Sequence, residues 1–179
     1  SSYLASKPSL TMSGTSSATA TLTNSSTSTD VAVYGAVSLT KNGSGLYDII
    51  SQATGKTLTM NGVISDGSGT TATQLQIGSP GNTGTVVFAA ANTYANDTTV
   101  AYGTLRAGNN SAFGSTGTVN VSSGSTLDVA SYVISRPVNL NGGIALSSTG
   151  STGKLTGGVT LGGATSYFAA GSGAVLTVD

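Results

Sequence analysis

Pairs of apolar residues separated by one polar residue recur through the C-terminal half of this chain at a spacing too long for a hairpin protein. Val119/Val121, Val138/Leu140, Val159/Leu161 and Leu176/Val178 follow one another roughly every 20 residues, a period in the range of solenoid repeats. Apolar positions two apart put both side chains on one face of a strand and the intervening residue on the other. A β-sandwich would show turn signals every ~8–12 residues, with hairpin dipeptides between strands. Such dipeptides are few: Asn42-Gly43, Asn61-Gly62, Asp66-Gly67 and Asn141-Gly142. The long period with very short strands predicts a solenoid, in which each coil is two or three strands joined by bends and stacks on the next.

The same short unit appears elsewhere. "SLTMSG" (Ser9 to Gly14) and "TLTMNG" (Thr57 to Gly62) are near copies, and "STLDVA" (Ser125 to Ala130) and "AVLTVD" (Ala174 to Asp179) repeat the theme. No window carries apolar residues at helical spacing, and β-formers and Gly dominate, so helix is nearly excluded. The reading is an all-β, parallel β-helix of one domain over residues 1–179, with 1–54 as a less regular N-terminal part. At roughly 20 residues per coil it has roughly nine coils and a length on the order of 40 Å. The stretch from Tyr34 to Ile50 fits this period least well.

Composition decides between a folded solenoid and a polar linker. Ser, Thr and Gly number 28, 29 and 26 of 179 residues, and only 7% of the chain is charged, against ~25% in ordinary domains. The hydrophobic fraction of 37% sits at alternating positions, and six basic residues balance six aspartates; disordered chains have neither property. A balanced charge offers no basic stripe for phosphates, so no nucleic-acid partner is expected. The longest apolar run, Val86 to Ala91, is far short of the ~20 residues of a membrane helix, so no membrane insertion by this segment is expected. Without cysteine there are no disulfides or thiolate metal sites. A start at Ser1 and an end on a strand pattern at Val178-Asp179 suggest a piece of a longer repeat protein.

"LTMNGVISDGSG" (Leu58 to Gly69) is followed by "GTVVFAAANTYANDTTVAYGTL" (Gly84 to Leu105), "GTVNVSSGSTLDV" (Gly117 to Val129) and "RPVNLNGG" (Arg136 to Gly143). This order resembles the autotransporter-associated β-strand repeat of passenger domains and related surface proteins of Gram-negative bacteria. Asn92-Thr93-Tyr94, Thr98-Thr99-Val100 and Gly103-Thr104-Leu105 carry the likeness, which spans residues 55–179. Where that pattern has a Gly pair after the Tyr, this chain has Asn96-Asp97, two residues that tolerate left-handed backbone. The resemblance implies a right-handed parallel β-helix, secreted and displayed at the bacterial cell surface, whose repeats are structural.

The residues themselves assign no catalytic, cofactor-binding or metal site. No His is present to serve a Ser-His-Asp triad, and no G-x-S-x-G occurs. "GKT" at Gly55 to Thr57 lacks the earlier glycine of a phosphate loop, since Ile50 stands there, and "GSGTTA" at Gly67 to Ala72 opens no helix. Asp66, Asp97 and Asp128 are evenly spaced along the chain. Grouped aspartates serve polysaccharide-cleaving β-helices, but two of these lie in turn sequence and one on a strand. The sequons at Asn24, Asn42, Asn96, Asn109 and Asn120 match chance for this composition. Of the tyrosines (Tyr3, Tyr34, Tyr47, Tyr94, Tyr102, Tyr132, Tyr167), Tyr94 and Tyr102 are expected to pack half-buried over bends. The functional expectation is a non-enzymatic structural or adhesive module, a stalk or spacer, with an unspecified surface or glycan partner and no cofactor. The alternatives are a self-associating fibre subunit, with Lys7-Pro8 as a weak N-terminal cap, and a polysaccharide-acting enzyme.

Overall fold

The computed structural model describes residues 9–14, 19–41, 47–67, 74–162 and 165–179. Lys7-Pro8, Tyr3, Asn42-Gly43 and most of "GSGTTA" lie outside the described residues. Six strands open the chain: β1 (Leu10–Gly14), β2 (Thr21–Asn24), β3 (Val31–Val33), β4 (Val37–Lys41), β5 (Tyr47–Met60) and β6 (Ile64–Asp66). The middle holds β7 (Gln74–Ile77), β8 (Thr83–Phe88), β9 (Thr98–Val100), β10 (Thr104–Ala107), β11 (Val119–Ser122), β12 (Thr126–Asp128) and β13 (Val133–Ile134). Last come β14 (Val138–Asn141), β15 (Ile144–Ser147), β16 (Thr152–Leu155), β17 (Val159–Leu161), β18 (Tyr167–Ala170) and β19 (Val175–Val178). No helix occurs among the described residues.

Every pairing between strands is parallel, and the strands fall on three faces of a β-solenoid. The first face stacks β2, the start of β5, β7, β9, β11, β14 and β17. The second stacks β3, the end of β5, β8, β10, β12, β15 and β18. β5 serves both because it turns the corner through an irregularity between Gln52 and Thr57 without leaving the ladder. The third face holds β1, β4 and β6 at one end and β13, β16 and β19 at the other. Between them it continues as non-strand backbone, tied by Thr93 N–H to the Ile64 carbonyl (2.9 Å) and Ser115 N–H to the Tyr94 carbonyl (2.9 Å).

Seven strand levels on the first face replace the nine coils expected from the sequence. The difference lies in the N-terminal half, where a coil takes more chain. Leu10 pairs with Val37, Val37 with Ile64, and Thr21 with Ile49. Later partners lie closer together in sequence, Val119 with Val138 and Val138 with Val159. The fourth pair of the sequence series belongs elsewhere, because Leu176 and Val178 stack on Gly153 and Leu155 on the third face. The near copies at Ser9 and Thr57 also sit on different faces. Strand sequence reports which side is apolar; it carries no mark of which face of the coil it builds.

Inner positions form continuous ladders. On the first face Ile50, Ile77, Val100, Val121 and Leu140 stack fully buried. On the second, Leu58, Val86, Leu105, Leu127 and Ala145 do the same. Burying each such aliphatic side chain contributes about 1.5–3 kcal/mol relative to exposure. In the middle of the stack the core is filled by Phe88, Tyr94 and Phe113, with Phe88 edge-on to Tyr94 (6.4 Å between centroids, 82°) and tilted against Phe113 (6.5 Å). Corners demand small residues because one coil sits directly on the next. At Gly78 (φ +80°) an added Cβ would lie 2.2 Å from the Tyr102 carbonyl oxygen of the coil above, so only glycine fits both the space and the backbone.

Candidate functional site

The chain's polar chemistry concentrates at the corners, and its main use is to tie one coil to the next. Asp30 accepts the Thr57 N–H (2.8 Å), Asp66 the Ala95 N–H (2.9 Å), and Asp97 the Thr118 N–H (2.7 Å). Asp128 accepts the Ser148 N–H (3.2 Å) and, within its own turn, the Ala130 N–H (2.9 Å). Each of these four carboxylates thus satisfies an amide one coil further on, where the chain bends and the ladder cannot supply a carbonyl. Backbone donors buried without a partner are costly, which gives these residues a structural reason to be where they are.

Asn92 performs the same task in both directions. Its Oδ1 accepts the Ile64 N–H (2.7 Å) of the preceding coil, and its Nδ2 donates to the Ala112 carbonyl (2.6 Å) of the following one. The side chain is buried. Its neighbour Tyr94 does not sit half-buried on a rim as expected; it lies wholly inside, its hydroxyl 2.8 Å from Thr98 Oγ1. Its ring packs against Phe88 in the core, while Tyr102 remains on the surface. Burial pushes the Tyr94 phenol well above its usual range, against the opposing pull of the Thr98 hydrogen bond and the Arg136 charge.

Asp66, Asp97 and Asp128 are not brought together. Asp66 ends β6 on the third face, Asp97 precedes β9 at the corner into the first face, and Asp128 ends β12 on the second. Asp128 is buried and is met by Arg106 from the coil below, Nε to Oδ2 at 2.6 Å. Arg136 donates through Nη2 to the Gly117 carbonyl, and partial burial lowers its pKa while Tyr94 and Asp97 raise it. Among the described residues no group of three or more acidic, His or Cys side chains is placed to hold a metal ion. Asn96-Asp97, which stand where the resembled pattern has a Gly pair, do not take up left-handed backbone here, and the strands that follow them run Thr98–Val100 and Thr104–Ala107.

Two outward ladders complete the surface chemistry. Thr57, Thr85, Thr104 and Thr126 stand in register on the second face. Gln76, Thr99, Asn120, Asn139 and Thr160 do so on the first, where Asn139 Nδ2 donates to Asn120 Oδ1 (3.0 Å). Cross-strand Thr and amide pairs of this kind stabilise a sheet by a few tenths of a kcal/mol to about 1 kcal/mol each.

Together these features define a parallel β-solenoid whose side-chain chemistry is turned inward on its own coils. No family model, no curated protein and no solved structure matches the chain.

Proposed function

We propose that the chain is a non-enzymatic structural or adhesive module, a stalk or spacer of an extracellular bacterial surface protein. The observation that carries this reading is the use of the polar side chains: Asp30, Asp66, Asn92, Asp97 and Asp128 each accept a backbone amide of an adjacent coil through one side-chain oxygen. A carboxylate occupied in this way stiffens a rod and is poorly placed to work on a substrate. The resemblance to the autotransporter-associated repeat supports the surface location and the right-handed sense of the helix. A stack of coils also grows by about 4.8 Å for every coil added, so length is set by repeat number alone.

The test uses that scaling. Deleting residues 138–158 brings Val159–Leu161 onto β11 in the register that β14 occupies now. With the chain displayed on a cell, the distance from an N-terminal epitope to the membrane is measured by distance-dependent quenching. A spacer loses about 5 Å on this deletion while remaining folded. An unchanged distance, or turnover of a surface glycan by the intact chain, contradicts the proposal.

A further inference from the structure

Asparagine followed two residues later by Ser or Thr is the acceptor pattern for N-linked sugars, and it works as a surface loop with a free amide nitrogen and a reachable hydroxyl. Such sequons are no more frequent in this chain than its composition predicts, but the fold treats them unequally. Those at Asn24, Asn96, Asn109 and Asn120 lie in the described residues, and Asn42 lies outside them.

Three of the four are spoiled by their surroundings. Asn24 gives its Nδ2 to Gln52 Oε1 (2.9 Å). The hydroxyl that should accompany Asn96 is that of Thr98, which is buried with its Oγ1 2.8 Å from the Tyr94 hydroxyl. Asn120 and Ser122 belong to β11, which is paired on one side with β9 and on the other with β14. That segment cannot bend around its amide without breaking the ladder.

Asn109 differs on each count. The chain leaves β10 at Ala107 and turns, the Ala112 N–H donating to the Asn109 carbonyl (3.2 Å). Asn109 Oδ1 accepts the Ser111 N–H (2.9 Å), the local bond by which Asn stabilises a turn. Its Nδ2 is neither buried nor bonded to any described residue. Asn110 and Ser111 are exposed, and the Ser111 hydroxyl has no partner among the described residues. Neighbouring coils hold the turn in place: the Asn92 N–H donates to the Ser111 carbonyl (3.0 Å) and the Val133 N–H to Asn110 Oδ1 (2.9 Å). The acceptor geometry therefore exists in the folded chain and needs no local unfolding.

We infer that Asn109 is an N-glycosylation site of the folded chain, and that the fold closes the sequons at Asn24, Asn96 and Asn120. The sugar donor is a nucleoside diphosphate sugar. The bond from Asn109 Nδ2 to C1 of the sugar forms, and the bond from C1 to the diphosphate oxygen breaks. The nucleoside diphosphate leaves with that electron pair, and Nδ2 gives up one proton. Because Nδ2 takes part in no tie between coils, attachment costs the stack no hydrogen bond. The saccharide stands at the corner that follows the second face and adds soluble bulk to a chain only 7% charged. The inference does not rest on the spacer reading, since it concerns which turn a transferase can use, whatever the rod is for.

Incubating the folded chain with UDP-glucose and a soluble N-glycosyltransferase that acts on this pattern tests it, with peptide mass mapping to locate the added hexose. One hexose is expected at Asn109 and none at Asn24, Asn96 or Asn120. Asn109→Asp keeps an oxygen for the Ser111 amide but has no amide nitrogen, and Ser111→Ala removes only the hydroxyl. Circular dichroism checks that both variants keep the parent fold, and both are expected to lose modification at this turn. A protease digest of the chain, in which no ladder survives, is expected to gain hexose at Asn96 and Asn120 as well. An unmodified Asn109 in the folded chain overturns the inference, as does hexose at Asn96 or Asn120 of the folded chain to a similar extent. A digest still unmodified at Asn96 and Asn120 also overturns it, because sequence and not fold would then make the choice.

Discussion

Val121, Leu140 and Leu161 occupy the same inner position on successive coils, yet the first two are fully buried and the third is 59% exposed. The side chains and their alternation are alike; what differs is whether a coil lies above. In a globular domain burial follows from the pattern of a segment, but in a solenoid it follows from having neighbours on both sides. Middle coils are thus held by two interfaces and the last coil by one, and the cost of a substitution is set by level more than by residue type.

The largest expected effect breaks this comparison at an aromatic pair. Phe88→Ala removes a fully buried ring that packs on both Tyr94 and Phe113, and about 3–5 kcal/mol of stability should be lost on denaturant unfolding. Phe168→Ala, at the open end of the same face, should lose about 1 kcal/mol or less because half the ring already faces water. Equal losses would mean that the last coil is covered.

Next comes the corner bridge. Asn92→Ala leaves the Ile64 amide and the Ala112 carbonyl unpaired inside the coil, which should cost about 1–3 kcal/mol. Asn139→Ala, which removes an outward amide with one partner, should cost about 0.5 kcal/mol. Hydrogen exchange at Ile64 reports the bridge directly, and unchanged protection in the Asn92 variant would contradict it.

Alkali should loosen the middle before the end. The Tyr94 phenol is raised by burial, so the folded state holds its proton where the unfolded chain, with a pKa near 10, releases it. That contribution to stability is complete below pH ~10 and is lost as pH rises from there toward the folded-state value. Tyr94→Phe should flatten stability above pH ~10 while costing about 1 kcal/mol at neutral pH through the lost Thr98 hydrogen bond. The smallest effect concerns Ala130, which adopts φ +49° beside the aspartate-capped turn at Asp128; Ala130→Gly should gain about 0.5 kcal/mol by thermal melting.

The all-β solenoid was legible from the alternation and the long period, since Val119, Val138 and Val159 do stack. Coil number was not, because the visible period belongs to the short C-terminal coils and the N-terminal connections are longer. Face assignment also escaped, as the placing of Leu176 opposite Gly153 demonstrates. The corner carboxylates were visible as residues but not in their role: Asp66, Asp97 and Asp128 are evenly spaced in sequence, yet each answers a different backbone amide in space. Nothing in the local sequence of Asn92 or Tyr94 announced full burial, which depends on the coils on either side.

The fold depends above all on parallel coils stacked in register, and the absence of cysteine makes that directly measurable. Asn120 and Asn139 are outward partners on adjacent coils, at a strand spacing of about 4.8 Å that a disulfide can span. An Asn120→Cys, Asn139→Cys double variant should oxidise to completion as a folded monomer. The control Asn120→Cys, Thr160→Cys, two coils apart, should stay reduced. Equal oxidation of both pairs, or closure of only the second, would contradict the stack.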